Sequence, residues 1–186
     1  YSDWTTNFST ELNVSYSEYR SLPTSYSDVP QVSITARNGS PTGGSATLLF
    51  GEERSRQSNE LAVDTWTGFF AGNYYLGNHE LKFGLDHETS DVFNLFLQDT
   101  TGSYEFNTTG SGSSQVDGIT NFLNGRYTRY RFQRARSGNN RDAAAQFEVG
   151  NTGLFVQDTW TVNDRLTLMF GIRADQTGIG GTPAEN

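Results

Sequence analysis

The chain contains no cysteine, which excludes a disulfide framework and any thiolate metal site. It has one lysine, Lys82, and 13 basic residues against 21 acidic ones. A net charge of −8 with a pI near 4.7 argues against a general binder of polyanions, nucleic acid included. A helical bundle or coiled coil would be rich in Ala, Glu, Lys and Leu, and the near absence of lysine excludes both. No run approaches the ~20 consecutive apolar residues of a membrane helix. Charged residues make up 18% and apolar residues 34%, with a mean hydropathy of −0.60. Gly, Ser, Thr and Asn take their place, and aromatics reach 13%. That many rings can bury enough area to exclude disorder. What remains is an all-β protein with polar connections, in a chain of 186 residues, long enough for one domain.

Period-2 alternation is the dominant pattern. From Trp4 to Tyr19 the even positions carry Trp4, Phe8, Leu12, Val14 and Tyr16, while Ser9, Glu11, Asn13, Ser15 and Ser17 lie between them. This reads as one strand far longer than the 5–6 residues usual in soluble sheets. A second pair covers residues 61–76 and 79–88 around Gly77-Asn78, a dipeptide suited to a two-residue hairpin. That turn pairs Leu76 with His79 and Gly72 with Phe83. One face then carries Trp66, Phe70, Tyr74, Leu81, Phe83 and Leu85; the other carries Thr65, Phe69, Asn73, Lys82, Gly84 and Asp86. Trp66 and Tyr74 lie about 26 Å apart along a strand, close to the apolar band between the aromatic girdles of a membrane barrel.

A third hairpin covers 153–161 and 165–175 around Asn163-Asp164. Leu166, Leu168, Phe170 and Ile172 form its apolar face. A two-residue loop pairs Thr161 with Leu166 and Phe155 with Ile172, placing Asp158 on the face of Arg173 and turning Trp160 inward. A three-residue loop would point Trp160 outward but Asp158 at lipid, so the two-residue loop is expected. The set facing a polar interior is then Glu11, Asn13, Asn73, Lys82, Asp86, Asp158, Arg173 and Asp175.

Two long polar segments, 21–60 and 89–144, separate these strands. Within them 31–37, 46–50, 103–106 and 127–136 read as strand pieces, and 114–124 as one or two helical turns. Tight turns alternating with long excursions is the layout of outer-membrane barrels, with short periplasmic turns and long extracellular loops around about five spanning strands. Connections this long are uncommon in compact soluble domains. The competing architecture is a soluble β-sandwich, and it makes a different prediction. A sandwich packs the Trp66/Phe70/Leu81/Phe83 face on a second sheet, whereas a membrane barrel leaves it bare.

Residues 77–86, Gly-Asn-His-Glu-Leu-Lys-Phe-Gly-Leu-Asp, and the run 153–175, Gly-Leu-Phe-Val-Gln-Asp-Thr-Trp through Phe-Gly-Ile-Arg-Ala-Asp, resemble barrel segments of TonB-dependent outer-membrane receptors. The Oar-like branch, with its carboxypeptidase-regulatory-like domain, is most similar, and residues 51–59 and 121–125 also fit it. The resemblance implies a place in the outer membrane of a Gram-negative cell envelope, a barrel of about 22 strands around a plug, and uptake of scarce or large substrates with energy delivered through the TonB complex. On this reading residues 1–186 are a piece of such a barrel, without plug domain, TonB box or C-terminal strand. The loop-like end, 180–186, fits a cut within a larger protein.

No catalytic group is expected. His79 sits at a tight turn and His87 on the outward face, and no Gly-x-Ser-x-Gly elbow accompanies them. Asp86, Glu88 and Asp91 lack the spacing of a calcium loop. No cofactor is implied. The densest local feature is Arg126, Arg129, Arg131, Arg134, Arg136 and Arg141, interleaved with Tyr127, Tyr130 and Phe132. Arginine offers bidentate recognition of phosphate or carboxylate. The cluster therefore reads either as a contact for an anionic ligand or lipopolysaccharide, or as a hairpin whose arginines pair with loop acids. Expected partners are outer-membrane lipid, lipopolysaccharide and an unknown substrate, with no nucleic acid.

Overall fold

A computed structural model describes residues 1–24, 27–37 and 44–181. It divides into two compact units, one of Tyr1–Arg20, Ala62–Phe93 and Ala145–Asn186, the other of Ser21–Leu61 and Asn94–Ala144. Residues 182–186 of the expected terminal loop lie outside the described residues.

The first unit is built on a sheet in the order β1-β2-β5-β6-β9-β10. Its strands are β1 (Ser2–Thr5), β2 (Phe8–Ser21), β5 (Asn59–Leu76), β6 (His79–Phe96), β9 (Ala145–Asn163) and β10 (Leu166–Gly180). Five are long, as the alternation requires. The first is not: the run expected as one strand from Trp4 to Tyr19 folds back at Thr6-Asn7, so β1 pairs antiparallel with β2. Thr5 Oγ1 accepts the Asn7 N–H at 3.2 Å and stabilises the turn. A shift between Asp3 and Thr5 restores even-with-even pairing, so Trp4 keeps its place on the apolar face and donates to Thr10 Oγ1. The alternation ran through the turn unbroken, which is why the turn was invisible in it.

The β5–β6 hairpin has the expected register. Gly77 takes φ +58°, a conformation open to glycine without steric cost. Thr65 and Ser90, which that register sets opposite each other, share a hydroxyl bond of 2.8 Å. The β9–β10 register differs from expectation. Asn163 pairs with Leu166 around Asp164-Arg165, and an irregularity after Leu166 sets Trp160 opposite Leu168 and Asp158 opposite Phe170. Trp160 therefore shares the apolar face, and Asp158 shares it too. The objection to a carboxylate there is met at one of its oxygens, while Asp158 Oδ1 is buried without a hydrogen-bond partner among the described residues. Asp158 Oδ2 bonds His79 Nδ1 at 2.7 Å, His79 stacks on Trp160 with centroids 5.4 Å apart, and the Asp158 side chain is left 13% exposed.

Among the described residues nothing covers the apolar face. Trp66 is 53% exposed, Phe83 42%, Phe170 56% and Ile172 74%. That is the outcome a membrane sheet predicts and a soluble sandwich does not. The stripe is bounded by rings at both ends: Trp4, Tyr74 and Trp160 toward the tight turns, and Tyr16 against Trp66 (4.9 Å) toward the other strand ends. Past that second boundary Arg20 holds Asp64 with both Nη2 contacts below 3 Å.

The second unit was not expected as a unit. The two polar segments contribute β3 (Gln31–Ala36), β4 (Ala46–Phe50), β7 (Ser103–Phe106) and β8 (Arg129–Arg131) to one sheet in the order β4-β3-β7-β8. The strand piece 127–136 shrinks to three residues. Pairing of β3 with β7 is parallel, Gln31 with Ser103 through Ile34 with Phe106, and it joins one segment to the other. Ile34, Ala36 and Phe106 are buried, and Phe122 of α1 (Gly118–Leu123) packs edge-on against Phe106 and Phe50. Asp117 caps α1 through the Ile119 N–H and also accepts the Arg37 N–H at the end of β3.

Candidate functional site

Alternation along β2, β5, β6, β9 and β10 puts Glu11, Asn13, Asn73, Lys82, Asp86, Arg173 and Asp175 on the polar face of the first unit, as expected; Asp158 alone is on the other. Several of them meet. Lys82 Nζ lies 3.6 Å from Glu11 and 5.8 Å from the centre of the Phe69 ring. Phe69 stacks on Phe155 at 6.0 Å and 14°. Arg173 donates to both oxygens of Asp86, at 2.7 and 2.9 Å, and to Asp175 at 2.8 Å. The face thus carries a row of paired charges separated by stacked rings.

Two glycines make this row possible. Arg173 stands on β10, one strand beyond β9, and must cross β9 to reach Asp86 on β6. It passes over Gly153, where a Cβ would meet its guanidinium carbon at 2.6 Å. Phe155 lies over Gly84 in the same way, 2.8 Å from where a Cβ would stand. Between them Phe69, Lys82, Phe155, Gln157 and Arg173 line a groove of about 520 Å³. Both cations in it are already neutralised by carboxylates, so the groove offers rings and amide groups to a ligand and no free charge.

The second candidate lies on the second unit. Glu105 of β7 accepts Arg131 at 2.6 Å and stands 3.9 Å from Arg129, while Arg141 binds Glu60. Arg134 donates to the Gly138 carbonyl at 3.2 Å. These arginines follow the reading in which they serve the loop. Arg126 and Arg136 are exposed and take no side-chain partner among the described residues. Beside them Tyr104 packs on Tyr130 at 4.6 Å and on Tyr127 at 5.6 Å. Desolvation, and then the neighbouring Tyr104, push the Tyr130 phenol above its ordinary pKa. Tyr127 and Phe132 remain 55% and 53% exposed, Tyr127 next in sequence to Arg126 and Phe132 shortly before Arg136.

The sequence reading passed over Asp99. It is fully buried with φ +58° and meets Arg54 at 2.5 Å. Its N–H and carbonyl bond Arg54, Gly102 and Gln133, so it ties three stretches of the second unit together. A non-glycine residue at positive φ is uncommon and Asp is among those that tolerate it, but nothing in the local pattern distinguishes Asp99 from the polar residues around it.

A family model described as outer membrane beta barrel domain matches residues 2–179. The chain belongs to the outer membrane beta barrel domain family. No curated protein matches it significantly, and no solved structure does. Membership places this barrel-domain chain in the bacterial outer membrane. The long strands are then its crossing elements, and the uncovered apolar stripe is the face they turn to lipid. No helix among the described residues is long and apolar enough to cross a membrane.

Proposed function

We propose that the chain is part of the barrel of a TonB-dependent receptor of the Oar-like kind, which binds a scarce or large substrate and takes it up with TonB-coupled energy. The observation that carries this reading is the openness of the barrel sheet. Its order ends at β1 and β10, and neither edge pairs with the other. Backbone groups left unpaired in hydrocarbon cost several kcal/mol each, so in the membrane further strands must continue both edges. Five long strands are too few to close a barrel by themselves, and a wide barrel around a plug is what the likeness of residues 77–86 and 153–175 to such receptors implies. The paired charges of the inner face then meet plug or substrate, and no catalytic step or cofactor is assigned to the chain.

The second unit makes first contact with ligand in this scheme. Arg126 and Arg136, with Tyr127 and Tyr130 beside them, are its anion-reading surface, for a phosphorylated or carboxylated substrate or for lipopolysaccharide phosphates. Reversing both charges (Arg126→Glu with Arg136→Glu) should weaken binding of lipopolysaccharide or anionic ligand to intact cells at least tenfold; undiminished binding would remove this role. The receptor reading itself is tested by cross-linking the protein, expressed from its complete coding sequence, to the periplasmic domain of TonB. An adduct that depends on a TonB box supports it. Correct insertion with no adduct leaves a surface adhesion or anchoring barrel.

A further inference from the structure

We propose that the Asp158 carboxylate binds the ammonium headgroup of a phospholipid, at the end of the lipid-facing stripe nearest the tight turns. Asp158 stands on β9 opposite Phe170 of β10, and Val156 and Trp160 flank it on the same face. From β6 comes His79, whose Nδ1 meets Asp158 Oδ2 at 2.7 Å and whose ring stacks on Trp160 at 5.4 Å and 9°. His79 directly follows the Gly77-Asn78 turn, and the Asn78 carbonyl accepts the Thr161 N–H at 2.9 Å. The carboxylate therefore lies level with a tight turn, among the rings of the girdle, where hydrocarbon gives way to headgroups.

One of its two oxygens has nothing to bind. Asp158 Oδ1 is buried and has no hydrogen-bond partner among the described residues. A buried charge is expensive unless it is paired. Other acids of the sheet are paired from within the chain: Arg20 holds Asp64, Arg173 holds Asp86, and Lys82 faces Glu11. No strand continuing the sheet can do the same for Asp158, because β9 lies between β6 and β10 and both of its neighbours are in place. On this face the remaining neighbour is lipid. The His79 and Trp160 rings beside the carboxylate are themselves partly exposed, so a headgroup reaches it by turning a side chain and not by moving a strand.

The chemistry of the pair selects the headgroup. An ionised carboxylate only accepts, so His79 Nδ1 carries the hydrogen between them, and the neutral ring keeps Nε2 as a further acceptor. Nε2 has no partner among the described residues. Two acceptors without a donor are the wrong complement for a phosphate or carboxylate, neither of which brings a hydrogen. No three His, Asp or Glu side chains are grouped to hold a metal among the described residues. A primary ammonium brings three donors and no acceptor, and as part of a phospholipid it leaves the acyl chains to lie along the apolar stripe. Neither TonB coupling nor the Arg126/Arg136 surface is needed for this site.

The test uses the protein expressed from its complete coding sequence and held in detergent. Native mass spectrometry counts the lipid retained after addition of phosphatidylethanolamine, its N-methyl and N,N-dimethyl forms, or phosphatidylcholine with the same acyl chains. Retention should fall as N–H donors are removed, with phosphatidylethanolamine held several-fold better than phosphatidylcholine. Asp158→Asn keeps the size of the side chain and loses its charge, and should bring the two lipids to equal retention. Equal retention by the unaltered protein, or a preference that survives in folded Asp158→Asn protein, would overturn the proposal. So would a preference for phosphatidylglycerol, which would make the site a reader of anions. Should Asp158→Asn fail to fold, the methylation series on the unaltered protein decides by itself.

Discussion

At the residue scale, small side chains decide which large ones can meet. Gly84 is enclosed by the backbone of β5, with Ala71 Cα 3.0 Å from where a Cβ would stand, and by the Phe155 ring. A ring can move and a backbone cannot without moving the strand. Gly84→Ala should therefore destabilise the sheet by about 1–3 kcal/mol, the ordinary range for overpacking, read by denaturant unfolding in detergent. An equal unfolding midpoint would mean that β5 and β6 are not in this register. Trp160 tests the other register. Turned to the apolar face, it should be quenched by lipids brominated in their acyl chains, in a variant with Trp4 and Trp66 replaced by Phe. Fluorescence indifferent to bromine would restore the inward position that the two-residue loop around Asn163-Asp164 predicted.

At the element scale, each long strand carries two solvents, one per face. Phe83 and Lys82 are neighbours on β6 and point opposite ways, Phe83 over Gly72 and Lys82 toward Glu11. A cation in mid-bilayer costs ~2–4 kcal/mol, while substitutions on the inner face act mainly on what the barrel admits. Phe83→Arg should accordingly lower unfolding stability by about that amount in lipid vesicles. Lys82→Gln, which loses only a partly exposed pair with Glu11, should leave it nearly unchanged. The reverse ranking would turn the sheet inside out. Tight turns are the second feature of this scale. Thr6-Asn7, Gly77-Asn78 and Asp164-Arg165 close successive hairpins at one end of the sheet, and the Asn7 and Asn78 carbonyls bond Tyr75 and Thr161 on adjacent strands.

At the scale of the whole molecule, the chain holds two units with different physics. The first is a single layer whose apolar face is satisfied by lipid. The second has its own small core of Ile34, Ala36 and Phe106, and is held together as much by polar ties as by burial. Asp117 is one such tie. The Arg37 and Ile119 N–H groups hold its carboxyl below the ordinary carboxylate range. A depressed folded value contributes stability that is complete above the unfolded value of about 3.9 and is lost as pH falls through the lower folded one. Protection factors of the β3 and α1 amides, each taken against the intrinsic exchange rate at the same pH, should therefore fall as the pH is lowered below about 4, with those of the β5–β6 hairpin unchanged. In Asp117→Asn the protection should be lower at neutral pH and insensitive to this titration. Protection that falls equally in both proteins would assign the loss to other carboxylates.

The sequence by itself determined the membrane sheet. Period-2 alternation is a property of neighbours along one chain, so the apolar stripe, the polar face that carries Glu11, Lys82, Asp86 and Arg173, and the Gly77-Asn78 turn could all be read from it. The same alternation cannot show where a strand reverses without changing parity, which is how Thr6-Asn7 escaped notice. Nor does it count residues through an irregular turn, which is how Asp158 and Trp160 were set on the wrong face. The pieces at 31–37, 46–50 and 103–106 were visible as strands, but nothing local says which of them pair. Only the tertiary structure joined β3 to β7 in parallel across a long separation in sequence. Only that pairing made a folded unit of two connections and divided the arginines into those bound to Glu105 and Glu60 and those left open. The physical reason is the same throughout. Side-chain facing is fixed by adjacent peptide units, whereas pairing between distant segments and the partners of a charge are fixed by what the rest of the chain brings within a few ångströms.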